Sequence, residues 1–343
     1  MKETHDILNA ARQRRATDIH IVAGSPVLFR VEGDLQPATK ETLTAKLARD
    51  ISYALLTAEQ IAEFEAERDL DFMLTDADRN RHRINISFND GCVGAVIRML
   101  PCDPVPLENL KLPEIVTRIT KARKGLILIT GATSQGKTTT MNAMIDYINR
   151  NMRKHVVTIE DPIEYVHANK NSIVRQREIG RDTQSFIRAL RAALRQDPNV
   201  IAIGEMRDYD TIKIALTAAE TGVLVISTLH VISIDKIIER LLSYAPDGGD
   251  GHIRTLLAEA LLCIIHQELL PTLDGGKRIA AETLVATDAV RNVLRNRKTF
   301  HLRNAITTGQ RYGMQSMKMS LDILRDEGVI IESVYNGILE SYR

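Results

Sequence analysis

Tryptophan is missing from this 343-residue chain, and other aromatics are sparse, with 6 Phe and 8 Tyr. Base-stacking platforms are hard to build from so few rings. Net charge is equally thin: 45 basic residues against 44 acidic ones leave +1, so no general attraction to nucleic acid or an anionic membrane is expected. The three cysteines, Cys92, Cys102 and Cys263, show no CxxC spacing. That excludes a zinc knuckle and reads as reduced thiols in a cytosolic protein. No apolar run approaches the length of a membrane span, so direct membrane insertion is not expected. The first fifteen residues are polar and charged, unlike a secretory signal, which points to a cytoplasmic protein.

What the chain does carry is Gly131-Ala132-Thr133-Ser134-Gln135-Gly136-Lys137-Thr138, a GxxxxGK(S/T) loop. An apolar strand-like run precedes it at 125–130, and Met141, Met144, Ile145 and Ile148 follow at helical spacing. Strand, glycine loop and helix together aim backbone N–H groups and the positive end of a helix at one anion. Gly131, Thr133, Ser134, Gln135, Gly136, Lys137, Thr138 and Thr139 are therefore the candidate nucleotide-binding residues. Lys137 is expected to reach the outer phosphates, and the Thr138 hydroxyl to ligate Mg2+.

The organisation around this loop suggests an α/β chain of two domains. Residues 1–100 read as a small α+β domain, with strands at 18–22 and 27–31, helices at 42–49 and 57–67, and a hairpin over 81–89 and 93–100 turning at Asp90-Gly91. Thr57 and Gln60 have capping-box spacing. Pro101, Pro104, Pro106 and Pro113 make 101–113 a linker, since such a run continues neither helix nor sheet. From 114 to 343, strands at 126–130, 156–159, 200–203 and 223–228 alternate with helices such as 183–195, the pattern of a parallel sheet covered by helices. Beyond about residue 250 the chain reads as mostly helical, with one long helix over 253–269 and another over 316–326 ending before Gly328.

Three of these strands end in polar residues, where an α/β sheet places its ligand. After 156–159 come Glu160, Asp161 and Glu164; a solvated acidic turn explains them as well as water activation beside a magnesium nucleotide does. After 200–203 come Gly204 and Glu205. Here the glutamate suits orienting an attacking water, and the glycine a close approach of backbone to phosphate. After 223–228 comes His230, in isolation more often a structural residue, but beside the same sheet edge a candidate sensor of the γ-phosphate.

Taken in order, these segments resemble the secretion and pilus ATPase superfamily, and within it the PilT-type pilus retraction ATPases. Thr17 to His20 with Arg30 to Asp34 resemble the N-terminal signature, and 131–140 the Walker A motif. The stretch 158–165 resembles the Asp box, and 195–198 with 204–208 the Walker B region. Residues 217–222 with 227–230 resemble the His box, and 289–295 a C-terminal signature linked with retraction. The resemblance implies an N-terminal PAS-like domain followed by a RecA-like P-loop ATPase domain with a helical C-terminal region. It implies a homohexamer, docked at the inner face of the cytoplasmic membrane, whose ATP-driven domain motion acts on an inner-membrane pilus platform protein. Glu205 would be the Walker B glutamate and Glu164 the carboxylate near the attacking water. Arg81, Arg83 and Arg98 match arginines that reach toward the phosphates, although a solvated strand face accounts for them too.

Departures from that family pattern are specific. Ala132, Ser134 and Gln135 stand where the loop usually has Pro, Gly and Ser, and Gly91 where another Arg is frequent. His266-Gln267-Glu268 replaces Ala-Gln-Arg, and Gly180 a common His. They leave room for a pilus-assembly or type II secretion motor, and for a noncatalytic ATP-binding regulatory paralogue. Assembly motors commonly carry a longer N-terminal region and a tetracysteine insert, and this sequence has neither. A nucleic-acid motor is disfavoured by the charge balance and the few aromatics.

Overall fold

A computed structural model describes residues 2–76, 80–100, 103–246 and 249–342. Pro101 of the expected linker and Cys102 of the thiol set lie outside the described residues. The chain divides into two compact units, Met1–Asp103 and Pro104–Arg343.

In the first unit the elements run α1 (Lys2–Gln13), β1 (Asp18–Ile21), β2 (Leu28–Val31), β3 (Asp34–Pro37), α2 (Ala45–Tyr53), α3 (Ala58–Glu67), β4 (Asp69–Thr75), β5 (Arg81–Asn89) and β6 (Cys92–Met99). Among the described residues they form one antiparallel sheet in the order β3-β2-β1-β6-β5-β4. Alternation puts Ile19, Ile21, Phe29, Ile84, Ile86 and Ile97 on the buried face, packed with Ala48, Ile51 and Phe64 of the helices. Thr57 and Gln60 form the capping box that starts α3. Asp90 and Gly91 both take positive φ (49° and 72°), as a tight hairpin turn with the strand twist demands, which accounts for glycine at 91. The helix α1 and the short exposed strand β3 were not expected from the sequence.

The second unit runs α4 (Glu114–Thr120), β7 (Gly125–Thr130), α5 (Lys137–Asn151), β8 (His155–Glu160), β9 (Ile173–Glu178), α6 (Phe186–Ala193), β10 (Val200–Glu205), α7 (Tyr209–Thr221), β11 (Leu224–Leu229), α8 (Ile234–Ser243), α9 (Asp250–Ala260), β12 (Leu261–Pro271), β13 (Lys277–Val285), α10 (Asp288–Arg295), α11 (Leu302–Thr308), α12 (Met317–Asp326) and α13 (Glu332–Ser341). The sheet order is β13-β12-β7-β11-β10-β8-β9, parallel throughout except for the β12–β13 pair. One apolar layer packs α4 and α5 on one face; the other packs α6 to α11 on the opposite face. Because β7, β8, β10 and β11 are parallel and adjacent, their C-terminal ends share one edge of the sheet.

The long helix expected over 253–269 is corrected. It stops at Ala260, and Leu261 opens an eleven-residue strand between β7 and β13. Leu261, Ile264 and Ile265 are fully buried, and a run buried on both faces has no period that separates strand from helix. A distant residue marks the switch: Arg291 of α10 donates to the backbone carbonyls of Ala258, Glu259 (2.8 Å) and Leu261 (3.0 Å). These include carbonyls that an ending helix leaves without intrahelical partners.

Candidate functional site

The phosphate loop hangs between β7 and α5. Gly136 caps the helix in a left-handed conformation (φ 78°), and Lys137 is its first residue. Gly131 has φ 148°, and a Cβ there would lie 2.5 Å from the Gln267 carbonyl of β12, so the loop and that strand are in direct contact. Ser134 sits at φ 65°, a left-handed conformation that costs a non-glycine residue about 1–2 kcal/mol. The loss of the inner glycine is thus accommodated by strain at an exposed tip. Thr133 is exposed beside it, and Thr138 and Thr139 lie half-buried in the first turn of α5. Gln135 turns its side chain to β12, accepting from the Leu269 N–H, while its backbone carbonyl accepts from Gln267 Nε2 at 2.6 Å.

Lys137 is 5% exposed, and its ammonium donates to the Ala132 carbonyl at 2.6 Å. Burial lowers its pKa; the negative fields of Glu205 and Glu164 oppose that shift. The same Nζ lies 3.2 Å from His230 Nδ1, and His230 Nε2 lies 3.6 Å from Glu205 Oε2. One of the three polar strand ends therefore meets the loop lysine directly through His230, and the other two act on it through the charges of Glu205 and Glu164. Burial, then the Lys137 charge, lowers the His230 pKa, with Glu205 opposing. A neutral imidazole accepting at Nδ1 and carrying its proton on Nε2 fits both neighbours.

Gly204 lies where the pairing of β10 is irregular. It occupies a β-bulge between Ile203 and Glu205 in the pairing of β10 with β11, and its Cβ position faces Ile159 and Glu160 of β8. Its role is to re-aim the strand tip that carries Glu205. Glu205 also accepts from Arg207 Nε at 2.8 Å. Of the acidic trio, Glu160 is buried and accepts from Thr158 (2.6 Å) and Gln176 (3.1 Å), a structural role; Asp161 is exposed. Tyr165, next to Glu164, meets Thr139 Oγ1 through its hydroxyl at 3.1 Å.

In the first unit, Arg83 and Arg98 are direct cross-strand neighbours, and Arg98 is also opposite Asp18. Buried Asp18 accepts from Arg98 Nε at 3.0 Å and lies 3.8 Å from Arg30 Nε. Both Arg83 and Arg98 remain more than half exposed, whereas Arg81, expected on the same face, is buried.

Sequence reading missed a cavity of about 250 Å³ beside Gly136 and Thr139. Val105, Leu110, Leu269 and Ile279 give it apolar walls, and Lys277 and Arg278 add charge. Leu269 and Ile279 belong to β12 and β13, which became visible only once the helix over 253–269 was replaced by strands. The apolar run Ile279-Ala280-Ala281 was too short a signal by itself. Among the described residues no group of three or more His, Cys, Asp or Glu is placed to hold a metal, and no helix is long and apolar enough to cross a membrane.

Residues 1–325 match the family described as Type II/IV secretion system protein. The type IV pilus retraction ATPase PilT of Pseudomonas aeruginosa is 39% identical over 325 residues, 95% of this chain and 94% of that protein. The type IV pilus ATPase PilU of the same organism is 34% identical over 329 residues, 96% of this chain and 86% of that protein. A crystal structure described as the pilus retraction motor PilT with bound ADP superposes with a TM-score of 0.88 at 38% identity, over 96% of this chain and 95% of that one. The chain belongs to the type II/IV secretion system protein family and, within it, to the PilT-type ATPases. Its fold is theirs: an N-terminal α+β PAS-like unit followed by a RecA-like unit.

Proposed function

We propose that this member of the PilT-type ATPases hydrolyses ATP as a motor for pilus retraction, with its chemistry at the N-terminus of α5. The observation that carries this reading is the line Lys137–His230–Glu205, in which a buried ammonium, a neutral imidazole and a carboxylate converge on the phosphate loop. Gly131, Thr133, Ser134 and Gly136 would cradle the phosphates with backbone N–H groups, and Lys137 would exchange the Ala132 carbonyl for an outer phosphate oxygen. Glu205 would orient the attacking water, with Glu164 as the second carboxylate acting near it. His230 would report the γ-phosphate to Glu205. The cavity walled by Val105, Leu110, Leu269 and Ile279 suits an adenine ring, being apolar and adjacent to Gly136 and Thr139.

Magnesium fits this residue set in one manner. With no protein cage of acidic or imidazole ligands among the described residues, the Thr138 hydroxyl would hold the ion together with the nucleotide's own oxygens. Bound there, the ion supplies neutralisation of charge on the phosphates. The reading also enlists Arg83 and Arg98 as exposed guanidiniums that stabilise the phosphates, with Asp18 holding Arg98. It includes a hexameric ring and a platform protein at the inner face of the membrane as the load.

Magnesium-dependent phosphate release, measured on wild type and Glu205→Gln while light scattering sizes the particle, tests the proposal. A six-subunit wild-type species that hydrolyses ATP, with turnover lost in Glu205→Gln, supports it. Tight ATP binding without turnover in wild type overturns the motor in favour of a regulatory subunit.

A further inference from the structure

The phosphate loop and its flanks are gripped from one side by three residues of β12, His266, Gln267 and Leu269. His266 is in register with Thr130, the residue before Gly131, and its Nδ1 lies 3.0 Å from the Thr130 hydroxyl. Gln267 spans the loop: Oε1 accepts from Thr140 at 2.9 Å, and Nε2 donates to the Gln135 carbonyl at 2.6 Å. The Leu269 N–H donates to Gln135 Oε1. Thr130, His266 and Gln267 are fully buried, so the Thr130–His266 and Thr140–Gln267 bonds are made away from water, while the two to Gln135 are part-buried.

The far side of this grip is held by the C-terminal end of the described chain. The Tyr342 hydroxyl, just past α13, lies 2.6 Å from His266 Nε2 and 3.1 Å from Glu268 Oε1. With Glu268 ionised, the donors run one way. The Thr130 hydroxyl donates to His266 Nδ1, His266 Nε2–H donates to the phenol oxygen, and the phenol donates to the carboxylate. Burial supports the neutral imidazole, holding its pKa at about 4, and pushes Glu268 up. Tyr342 packs with Leu270, Ala280, Met317 and Leu321 in a small core of its own.

We propose that Tyr342 is a positioning residue of the phosphate loop: its hydroxyl orients His266 and Glu268, so that docking of α13 sets the order of residues 131–136 and hence the affinity for nucleotide. The affinity half of this inference rests on the proposed function; the ordering half does not. Nothing in the sequence near the loop signals the link, because 76 positions separate His266 from Tyr342.

Hydrogen exchange of the nucleotide-free full chain tests the ordering, and titration with ADP tests the affinity. Tyr342→Phe keeps the ring and removes the hydroxyl. We expect amides of 131–140 to exchange about 2–10-fold faster, the loss of the hydroxyl's hydrogen bond to His266, with 200–205 unchanged. ADP affinity falls by a similar factor. Equal acceleration in 200–205, or none in 131–140, overturns the proposal. In a cycle with His266→Ala, the double variant binds ADP as His266→Ala alone does; additive losses overturn the route through His266. A wild type that binds no ADP overturns the nucleotide reading, and the exchange comparison then still decides the positioning role.

Discussion

Lys137 Nζ lies 3.2 Å from His230 Nδ1, joining the phosphate loop to the end of β11 through one nitrogen lone pair. The lysine is therefore held by a carbonyl and an imidazole, both neutral partners for its charge. A phosphate oxygen taking the ammonium would free His230 to turn toward Glu205.

Removing that charge is the first prediction. In Lys137→Ala, a charge-assisted hydrogen bond to the outer phosphates is lost, worth about 1.5–3 kcal/mol, or roughly 10–150-fold in ATP affinity. Turnover should fall to background. Fluorescent-nucleotide titration and phosphate release check both, and unchanged turnover would place the chemistry elsewhere.

Glu205→Gln separates binding from hydrolysis. The amide keeps the shape at the bulged tip of β10 but cannot take a proton, so turnover should drop about 10²–10⁴-fold while ATP stays bound. Loss of binding instead would show that Glu205 holds the loop rather than the water.

Much of this site was legible because it is local. Four parallel strands announce themselves as short apolar runs, and each candidate residue follows its strand within a few positions, as Glu205 follows Val200–Ile203 and His230 follows Leu224–Leu229. Gly204 was open to two readings, because a bulge and a close phosphate approach call for the same residue. The grip by Gln267 and the apolar cavity were not legible at all. Both depend on β12, whose run of buried leucines and isoleucines carries no strand period and whose start is marked by Arg291, thirty residues downstream of Leu261. Arg81 and Arg83 illustrate the complementary limit: spacing put them on one face, but burial of Arg81 follows from the packing around it.

Arg98→Ala tests the arginines of the first unit. If Arg98 serves the phosphates in the transition state, kcat should fall by a large factor, with about 10³ as the lower end for an arginine finger, and ADP affinity should change little. Asp18→Asn weakens the hold on Arg98 and should give a smaller loss of the same kind. An unchanged kcat in Arg98→Ala would make it a surface residue.

Stability should depend on pH through two buried imidazoles. His167 accepts no charge easily: burial holds its pKa at about 4, and Nε2 sits 2.7 Å from Asn142 Oδ1. His266 is held at about 4 by burial and by the Lys137 charge. Between pH 6.5 and 4 the unfolded chain binds these protons and the folded chain does not, so stability rises with pH across that window. Each group contributes on the order of 3 kcal/mol to the difference, since one pKa unit is about 1.4 kcal/mol. The urea midpoint should therefore fall as pH drops from 7 to 4.5. The fall should be shallower in His167→Gln, which keeps a donor for Asn142 and removes the titrating group. A midpoint independent of pH over this range, or a slope unchanged in the variant, would mean that these imidazoles are protonated in the folded chain.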